Sequence, residues 1–87
     1  MGWSCMVIFD TEATCESDGV VVIGATVTDG IGPDTRFTLR ITRAYAERVW
    51  QIPYSRERVA AQIWVHIDEF QDLVARELAE GKTELIL

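Results

Sequence analysis

VVVIGATVTDGIGPDTRFTLRI, residues 20–41, is the stretch that decides the fold of this chain. Its first part, residues 20–27, is almost continuously apolar and rich in β-branched side chains, which predicts a central strand covered on both faces. Two glycines and a proline in residues 29–34 predict a turn. Residues 35–41 then alternate apolar and polar side chains, so we expect an antiparallel hairpin with one face buried. Gly24 interrupts the first strand and indicates a bulge or a close backbone approach.

Two further strands are predicted outside this hairpin. One precedes it, because every second residue near the start of the chain is apolar, and the polar residues 11–18 end it. The other is the segment TELIL, residues 83–87, which we expect to return beside the hairpin. The apolar face of the first strand consists of Trp3, Cys5, Val7 and Phe9.

Two helices are predicted between the hairpin and the last strand. Thr42 is a suitable N-cap for a short helix over residues 43–49. Ser55 has the same capping chemistry for one long helix over residues 56 to about 80, and Gly81 is the expected residue after its end. Placing successive residues 100° apart puts the apolar side chains of the long helix on one stripe facing the sheet. This stripe consists of Val59, Ile63, Ile67, Phe70, Val74 and Leu78.

These elements predict one α+β domain over residues 1–87, with two layers. A mostly antiparallel sheet of about four strands forms one layer, and a short and a long helix cover one of its faces. The order along the chain is β-β-β-α-α-β.

The composition indicates a globular protein, with 48% hydrophobic and 25% charged residues among 87. Fourteen acidic against eight basic residues give a net charge of −6, which disfavours binding of nucleic acid through a broad basic surface. The chain contains no apolar stretch long enough for a membrane span, and no basic residue precedes its first apolar run. We therefore expect a cytoplasmic protein that does not insert into membranes.

The two cysteines, Cys5 and Cys15, are spaced too far apart for a C-x-x-C unit. A zinc site would need two more ligands from a chain with a single histidine, His66. Free thiols are the expectation, a single disulfide is the alternative, and no cofactor is predicted. His66 lies beside the apolar stripe and has no nucleophile as an evident partner, so we interpret it as a packing residue.

The segment FDTEATC, residues 9–15, resembles the first motif of the DEDD-type 3′–5′ exonucleases. The resemblance implies that Asp10 and Glu12 are ligands of two magnesium ions. That family also requires an aspartate four or five residues after a histidine or tyrosine, but Phe70 and Gln71 stand at these offsets from His66. The end of a strand is therefore the preferred interpretation of this pair, and a magnesium-dependent nuclease is an alternative.

A second resemblance covers most of the chain. The segments DGVVVIGATVTDG, RFTLRITRAYAERV and VHIDEFQDLVARELAEGKTELIL resemble small proteobacterial α+β domains to which no activity is assigned. Those domains have a hairpin, a short helix and a long terminal helix. The resemblance implies a fold but no catalytic residues.

A candidate interaction surface is predicted around the junction of the two helices. Aromatic side chains cluster there, and exposed aromatics near arginines are typical of protein interfaces, although packing in the core and at its rim is the alternative. Two aspartates four residues apart lie on the solvent side of the long helix and are parts of an acidic face. The predicted surface consists of Trp50, Tyr54, Trp64, Val65, Asp68 and Asp72.

The sequence thus favours a non-enzymatic protein-interaction or regulatory module. Its predicted partner is a protein, and a second copy of the chain is one candidate. One alternative is an acidic inhibitor that imitates nucleic acid towards a basic partner. The other alternative is the magnesium-dependent nuclease.

Overall fold

The computed structural model describes residues 5–87. They form the predicted α+β fold, in which helices cover one face of a mixed five-stranded sheet. The strands are β1 (Met6–Phe9), β2 (Thr14–Cys15), β3 (Val21–Thr28), β4 (Thr35–Ile41) and β5 (Glu84–Ile86). The helices are α1 (Arg43–Tyr45), continued by a π-helical turn (Ala46–Trp50), then α2 (Arg56–Val65) and α3 (Ile67–Ala79). None of these helices in the described part of the chain is long and apolar enough to cross a membrane.

The sheet is built around the predicted hairpin. Strands β3 and β4 pair antiparallel, with Val21 opposite Ile41 and Val27 opposite Thr35. The strand order is β1-β3-β4-β5, and β5 lies parallel to β4. The last strand therefore lies beside the hairpin, as the sequence predicts.

The prediction that both faces of β3 are covered is wrong. This strand is central, but its residues alternate strictly between buried and half-buried. Helices cover only one face of the sheet, and the other face meets solvent. The half-buried β-branched residues on that open face lie beside their neighbours within the sheet.

The edge of the sheet next to β3 is one interrupted strand. Strands β1 and β2 both pair antiparallel with β3, β1 at residues 25–28 and β2 at residues 21–22. The expectation that residues 11–18 lie outside the sheet is therefore wrong at β2. Val7 and Phe9 are buried as predicted, whereas Trp3 lies outside the described residues.

The predicted single long helix is two helices, and the expectation of one is wrong. His66 separates α2 from α3, with φ −112° and ψ 36°, outside the helical region. Backbone hydrogen bonds across this point run from the His66 amide to Gln62 and Ile63 and from the Phe70 amide to His66. β-branched residues on both sides of His66 lower the local helix propensity.

The predicted helix ends are confirmed with small changes. Thr42 accepts a hydrogen bond from the Tyr45 amide and Ser55 accepts one from the Arg58 amide, so both are N-caps. The short helix runs one residue further than predicted because it ends in the π-helical turn. Gly81 has φ +86° after α3, the left-handed conformation expected there.

The apolar stripe of the helices faces the sheet, as predicted. Four of its six members are buried, while Ile67 and Leu78 are half-buried at its margins. They pack against the inward-facing residues of the strands, and together the two layers form one core. Its fully buried large side chains are Phe37, Leu39, Ile41, Ile63, Val21, Val59 and Val74.

Candidate functional site

Asp10, one of the two predicted metal ligands, is bound by an arginine. Arg36 Nη2 lies 2.9 Å from Asp10 Oδ2 and Arg36 Nη1 lies 3.2 Å from Asp10 Oδ1, which is a bidentate pairing. The hydrogen bond from Arg36 is the main cause that holds the pKa of Asp10 below its ordinary value. This carboxylate is therefore ionised at neutral pH and already has a cationic partner.

Gly24 makes the pairing between Asp10 and Arg36 possible. Asp10 follows β1 and Arg36 belongs to β4, so the ion pair reaches across β3. A Cβ atom at position 24 would overlap the Arg36 guanidinium and lie 2.7 Å from Asp10 Oδ2. The prediction of a bulge or a close backbone approach at Gly24 is wrong, because the pairing of β3 with β4 continues regularly through Gly24 and the atoms that approach it belong to side chains.

Glu12, the second predicted ligand, lies in the loop between β1 and β2. It lines a shallow cleft of about 220 Å³ together with Arg56 and Glu57 at the start of α2. Residues 5–87 contain no group of three or more His, Cys, Asp or Glu side chains that could hold a metal ion. The geometry therefore favours an ion-pairing role for Asp10.

Tyr54, a member of the predicted interaction surface, joins two strands through its hydroxyl. Its hydroxyl accepts a hydrogen bond from the Val21 amide at 2.9 Å and donates one to the Ile41 carbonyl. Those two residues are opposite each other in β3 and β4. The Arg43 guanidinium carbon lies 5.0 Å from the centre of the Tyr54 ring. The structure therefore gives Tyr54 a role in closing the end of the hairpin.

Trp50, a further member of the predicted surface, is half-buried against other aromatic rings. Its ring centre lies 5.1 Å from that of Tyr45 and 5.9 Å from that of Phe70, and both contacts are edge-to-face. Trp50 therefore packs the π-helical turn against α3. The alternative interpretation, packing at the rim of the core, describes its position.

Trp64 and Val65 are exposed at the end of α2. Trp64 is 45% exposed and Val65 is 72% exposed. Ala60, one turn before Trp64, lines the cleft beside the β1–β2 loop. Residues four apart share one flank of a helix, so Trp64 lies on the flank of α2 that faces this loop.

Asp68 and Asp72 are exposed on α3, as predicted. Neither forms an ion pair with any residue of the described chain. Asp68 belongs to the first turn of α3, where a carboxylate interacts favourably with the helix dipole. The helix break thus gives Asp68 a structural role that a continuous helix would not.

The outer edge of β1, with which no second strand of the described residues pairs, lies beside the flank of α3 that carries Asp68. Gln71 Nε2 donates a hydrogen bond of 2.9 Å to the carbonyl oxygen of Val7 in β1. Asp68 precedes Gln71 by three residues, so both lie on the flank of α3 that faces β1. Met6 and Ile8 are 60% and 52% exposed on the face of the sheet that carries no helix.

Sequence reasoning missed this edge, although β1 carries one signal of it. Its outward-facing residues Met6 and Ile8 are as apolar as its buried ones. We define the β1-edge surface as the outer edge of β1 with Trp64, Asp68, Gln71 and Asp72. Four of the six predicted surface residues, Trp64, Val65, Asp68 and Asp72, thus lie around the helix break and this edge.

The remaining candidate groups are dispersed. Cys5 is half-buried and Cys15 is exposed, and both are free thiols. His66 Nδ1 lies 3.6 Å from Glu69 Oε1 at the start of α3. These groups do not converge on a common cleft with Asp10 or Glu12.

Comparisons with protein-family models, with curated proteins and with solved structures found no match for the chain.

Proposed function

We propose that the chain is a non-enzymatic protein-binding module and that its contact surface surrounds the helix break. The observation that carries this proposal is the exposure of two adjacent large apolar side chains, Trp64 at 45% and Val65 at 72%. Tryptophan is enriched among the residues that dominate binding energies. Covering this pair with a partner removes apolar surface from water, which is favourable.

A regulatory role in the cytoplasm is the setting we propose for this module. The free thiols of Cys5 and Cys15 support a reducing compartment, because paired cysteines in small domains are typical of oxidising ones. In this role the module changes the behaviour of its partner by occupying a surface of that partner.

Retention of partners on the immobilised protein tests this proposal. We expect the wild type to retain a specific protein from a lysate of the source cells, and Trp64→Ala combined with Val65→Ala to lose it. Val49→Ala is the matched control, because Val49 is 60% exposed but lies on the π-helical turn. Equal retention by the wild type and the double variant would contradict the proposal.

Sedimentation of the purified protein tests whether the partner is a second copy. A homodimer that dissociates in the same double variant identifies the chain itself as the partner. A monomer at all concentrations directs the search to a different protein.

The acidic inhibitor remains a candidate because Asp68 and Asp72 have exposed carboxylates without ion-pair partners in the described chain. Binding of this kind weakens steeply as salt is raised. Retention that is insensitive to salt therefore argues against it. The same comparison separates an apolar contact at Trp64 from an electrostatic one.

The nuclease alternative has its own test. A titration with Mn²⁺, followed by NMR, reports whether signals of Asp10 and Glu12 broaden selectively. The ion pair between Asp10 and Arg36 leads us to expect no selective broadening at these residues. Selective broadening there would favour the nuclease.

A further inference from the structure

The outward groups of β1 follow from its pairing with β3. The Asp10 amide donates a hydrogen bond to the Gly24 carbonyl at 2.8 Å. Alternate residues of an antiparallel strand bond to the same neighbour, so Asp10, Ile8 and Met6 exchange hydrogen bonds with β3. The N–H and C=O groups of Val7 and Phe9 consequently point away from β3. They form the outer edge of the sheet.

One of these outward groups, the carbonyl of Val7, already accepts a hydrogen bond from a side chain. Gln71 donates its side-chain amide to the Val7 carbonyl at 2.9 Å, where the N–H of a neighbouring strand would donate. An amide side chain thus occupies one position of the missing neighbour. The edge is therefore competent to accept main-chain hydrogen bonds.

The composition of β1 leaves this edge unprotected. Sheet edges are usually blocked by charges, prolines or bulges, and residues 5–9 contain no charged residue, proline or glycine. The opposite edge, β5, carries Glu84 and is three residues long. Met6 and Ile8 also leave apolar surface beside the β1 edge, with which no second strand of residues 5–87 pairs.

The negative charge around the β1 edge favours a basic partner. Asp68 lies on the α3 flank that faces β1, Asp72 is exposed nearby, and the whole chain carries a net charge of −6. A second copy pairing through β1 would bring two such acidic flanks together. A basic segment instead finds opposite charge there, which favours it over a second copy.

The geometry points to strand addition: the β1 edge binds an extended basic segment of a partner protein as an additional strand. Its side chains alternate, with apolar residues beside Met6 and Ile8 and lysines or arginines beside the α3 flank. This inference rests on the proposed binding function and names the site and the chemistry of the partner. Gln71 is displaced from Val7 when the segment binds.

A fluorescent peptide of alternating lysine and valine tests the inference on the full chain. We expect this peptide to bind. Two control peptides should not bind: one has glutamate in place of lysine, and the other has the same lysines and valines arranged in two blocks. Two further peptides carry N-methyl groups on either the lysines or the valines. Only one of them should bind, because alternate amides of an added strand face β1.

Variants of the protein locate the peptide. Ile8→Lys should weaken binding about tenfold, which corresponds to partial burial of one isoleucine side chain. Ile86→Lys is the matched control, because Ile86 is 60% exposed on the opposite edge, and it should leave binding unchanged. Asp68→Asn with Asp72→Asn should weaken binding about two- to fivefold per charge and reduce its dependence on salt.

The outcomes separate this inference from the proposed function. Absence of peptide binding, equal binding of both N-methylated peptides, or a loss in Ile86→Lys but not in Ile8→Lys would overturn strand addition at β1. A homodimer that Ile8→Lys dissociates would overturn the choice of a basic partner. If partner retention depends on Trp64 but not on Ile8, the proposed binding function is supported and strand addition at β1 is contradicted.

Discussion

At the scale of single residues, the hydrogen bond from Arg36 lowers the pKa of Asp10. Its guanidinium crosses β3 above Gly24 and also donates a hydrogen bond of 3.0 Å to Thr26 Oγ1. Both partners of the ion pair stay exposed, with 59% of the Arg36 and 45% of the Asp10 side chain accessible. Exposed pairs contribute little to stability, so their effect is seen best in titration.

We expect Arg36→Gln to raise the pKa of Asp10 towards the ordinary value of an aspartate, because it removes the hydrogen bond that lowers it. A lowered pKa in the folded state stabilises the fold above the pKa of the unfolded state. This contribution is lost as the pH falls through the folded-state pKa. The variant should therefore be less stable than the wild type at neutral pH and equal to it once Asp10 is protonated.

Carbon NMR of the carboxyl groups measures this pKa, and denaturation at neutral and at acidic pH measures the stability. Arg43→Gln is the control, since it removes an ion pair with Glu47 on the helical side. A pKa of Asp10 that stays low in Arg36→Gln would contradict the assignment.

Tyr54 gives a second prediction at this scale. Tyr54→Phe removes a hydroxyl that satisfies the Val21 amide and the Ile41 carbonyl at the end of the hairpin. We expect the free energy of unfolding to fall by about 1–3 kcal/mol, because a part-buried donor and acceptor lose their partner. Chemical denaturation measures it. Tyr45→Phe, in a ring that packs on Trp50, is the control, and an equal loss in both variants would count against this role.

At the scale of the elements, the helix break turns residues in the middle of the predicted long helix into residues at helix ends. Continuous helix would place Asp68 in mid-helix, where it has only solvent as a neighbour. As built, Asp68 and Glu69 lie in the first turn of α3, and their charges offset the unpaired amides there. Val65 becomes the last residue of α2 and lies exposed at the junction.

Hydrogen exchange tests the break directly. The amides of Ile67, Asp68 and Glu69 should exchange much faster than those of Ile63 and Val74 in the helix interiors, because no backbone hydrogen bond within the described chain joins these three amides to α2. Exchange followed residue by residue by NMR makes the comparison within one sample. Uniform protection from Ile63 to Val74 would show a continuous helix.

The sequence predicts the hairpin, the caps and the apolar stripe because these features are local. It does not predict the break, because Ile63 and Phe70 are seven residues apart, close to two helical turns, and the stripe continues unchanged across His66. Glu69 and Asp68 in the first turn of α3 are the signal that could have indicated a new helix start. Strand β2 is two residues long and is defined only by its pairing with β3.

At the scale of the whole molecule, one face of the sheet carries the helices and the other stays open. The buried face depends on a few large side chains that contact both layers. Phe70 is 6% exposed and packs edge-to-face on Trp50, so it connects α3, the π-helical turn and the sheet. The fold as a unit should be sensitive to this residue.

Phe70→Ala is expected to lower the free energy of unfolding by about 3–5 kcal/mol through the lost burial and the cavity left behind. That is a large part of the roughly 5–15 kcal/mol that stabilises a typical domain. Urea denaturation measures the midpoint, and Val49→Ala, at an exposed site, should leave it nearly unchanged. An unchanged midpoint in Phe70→Ala would contradict the packing of α3 on the sheet.

The candidate site was only partly predictable from the sequence. The exposure of Trp64, Asp68 and Asp72 follows from helical periodicity, which a sequence displays. The roles of Tyr54 and Gln71 do not, because the two partners of Tyr54 in the strands lie 33 and 13 residues away along the chain and the partner of Gln71 lies 64 residues away. Long-range contacts of this kind depend on how the layers meet.

The charged residues on the open face of the sheet also destabilise hairpins with the wrong register. Arg36 and Arg40 of β4 reach Asp10, Glu16 and Glu84 across the sheet. If β4 slipped by a single residue, both guanidinium groups would turn inward, and in one of the two directions they would take the places of its phenylalanine and its last isoleucine. Burying two unpaired cations costs several kcal/mol each. Charges that add little to the native state thus make misregistered hairpins prohibitively unstable during folding.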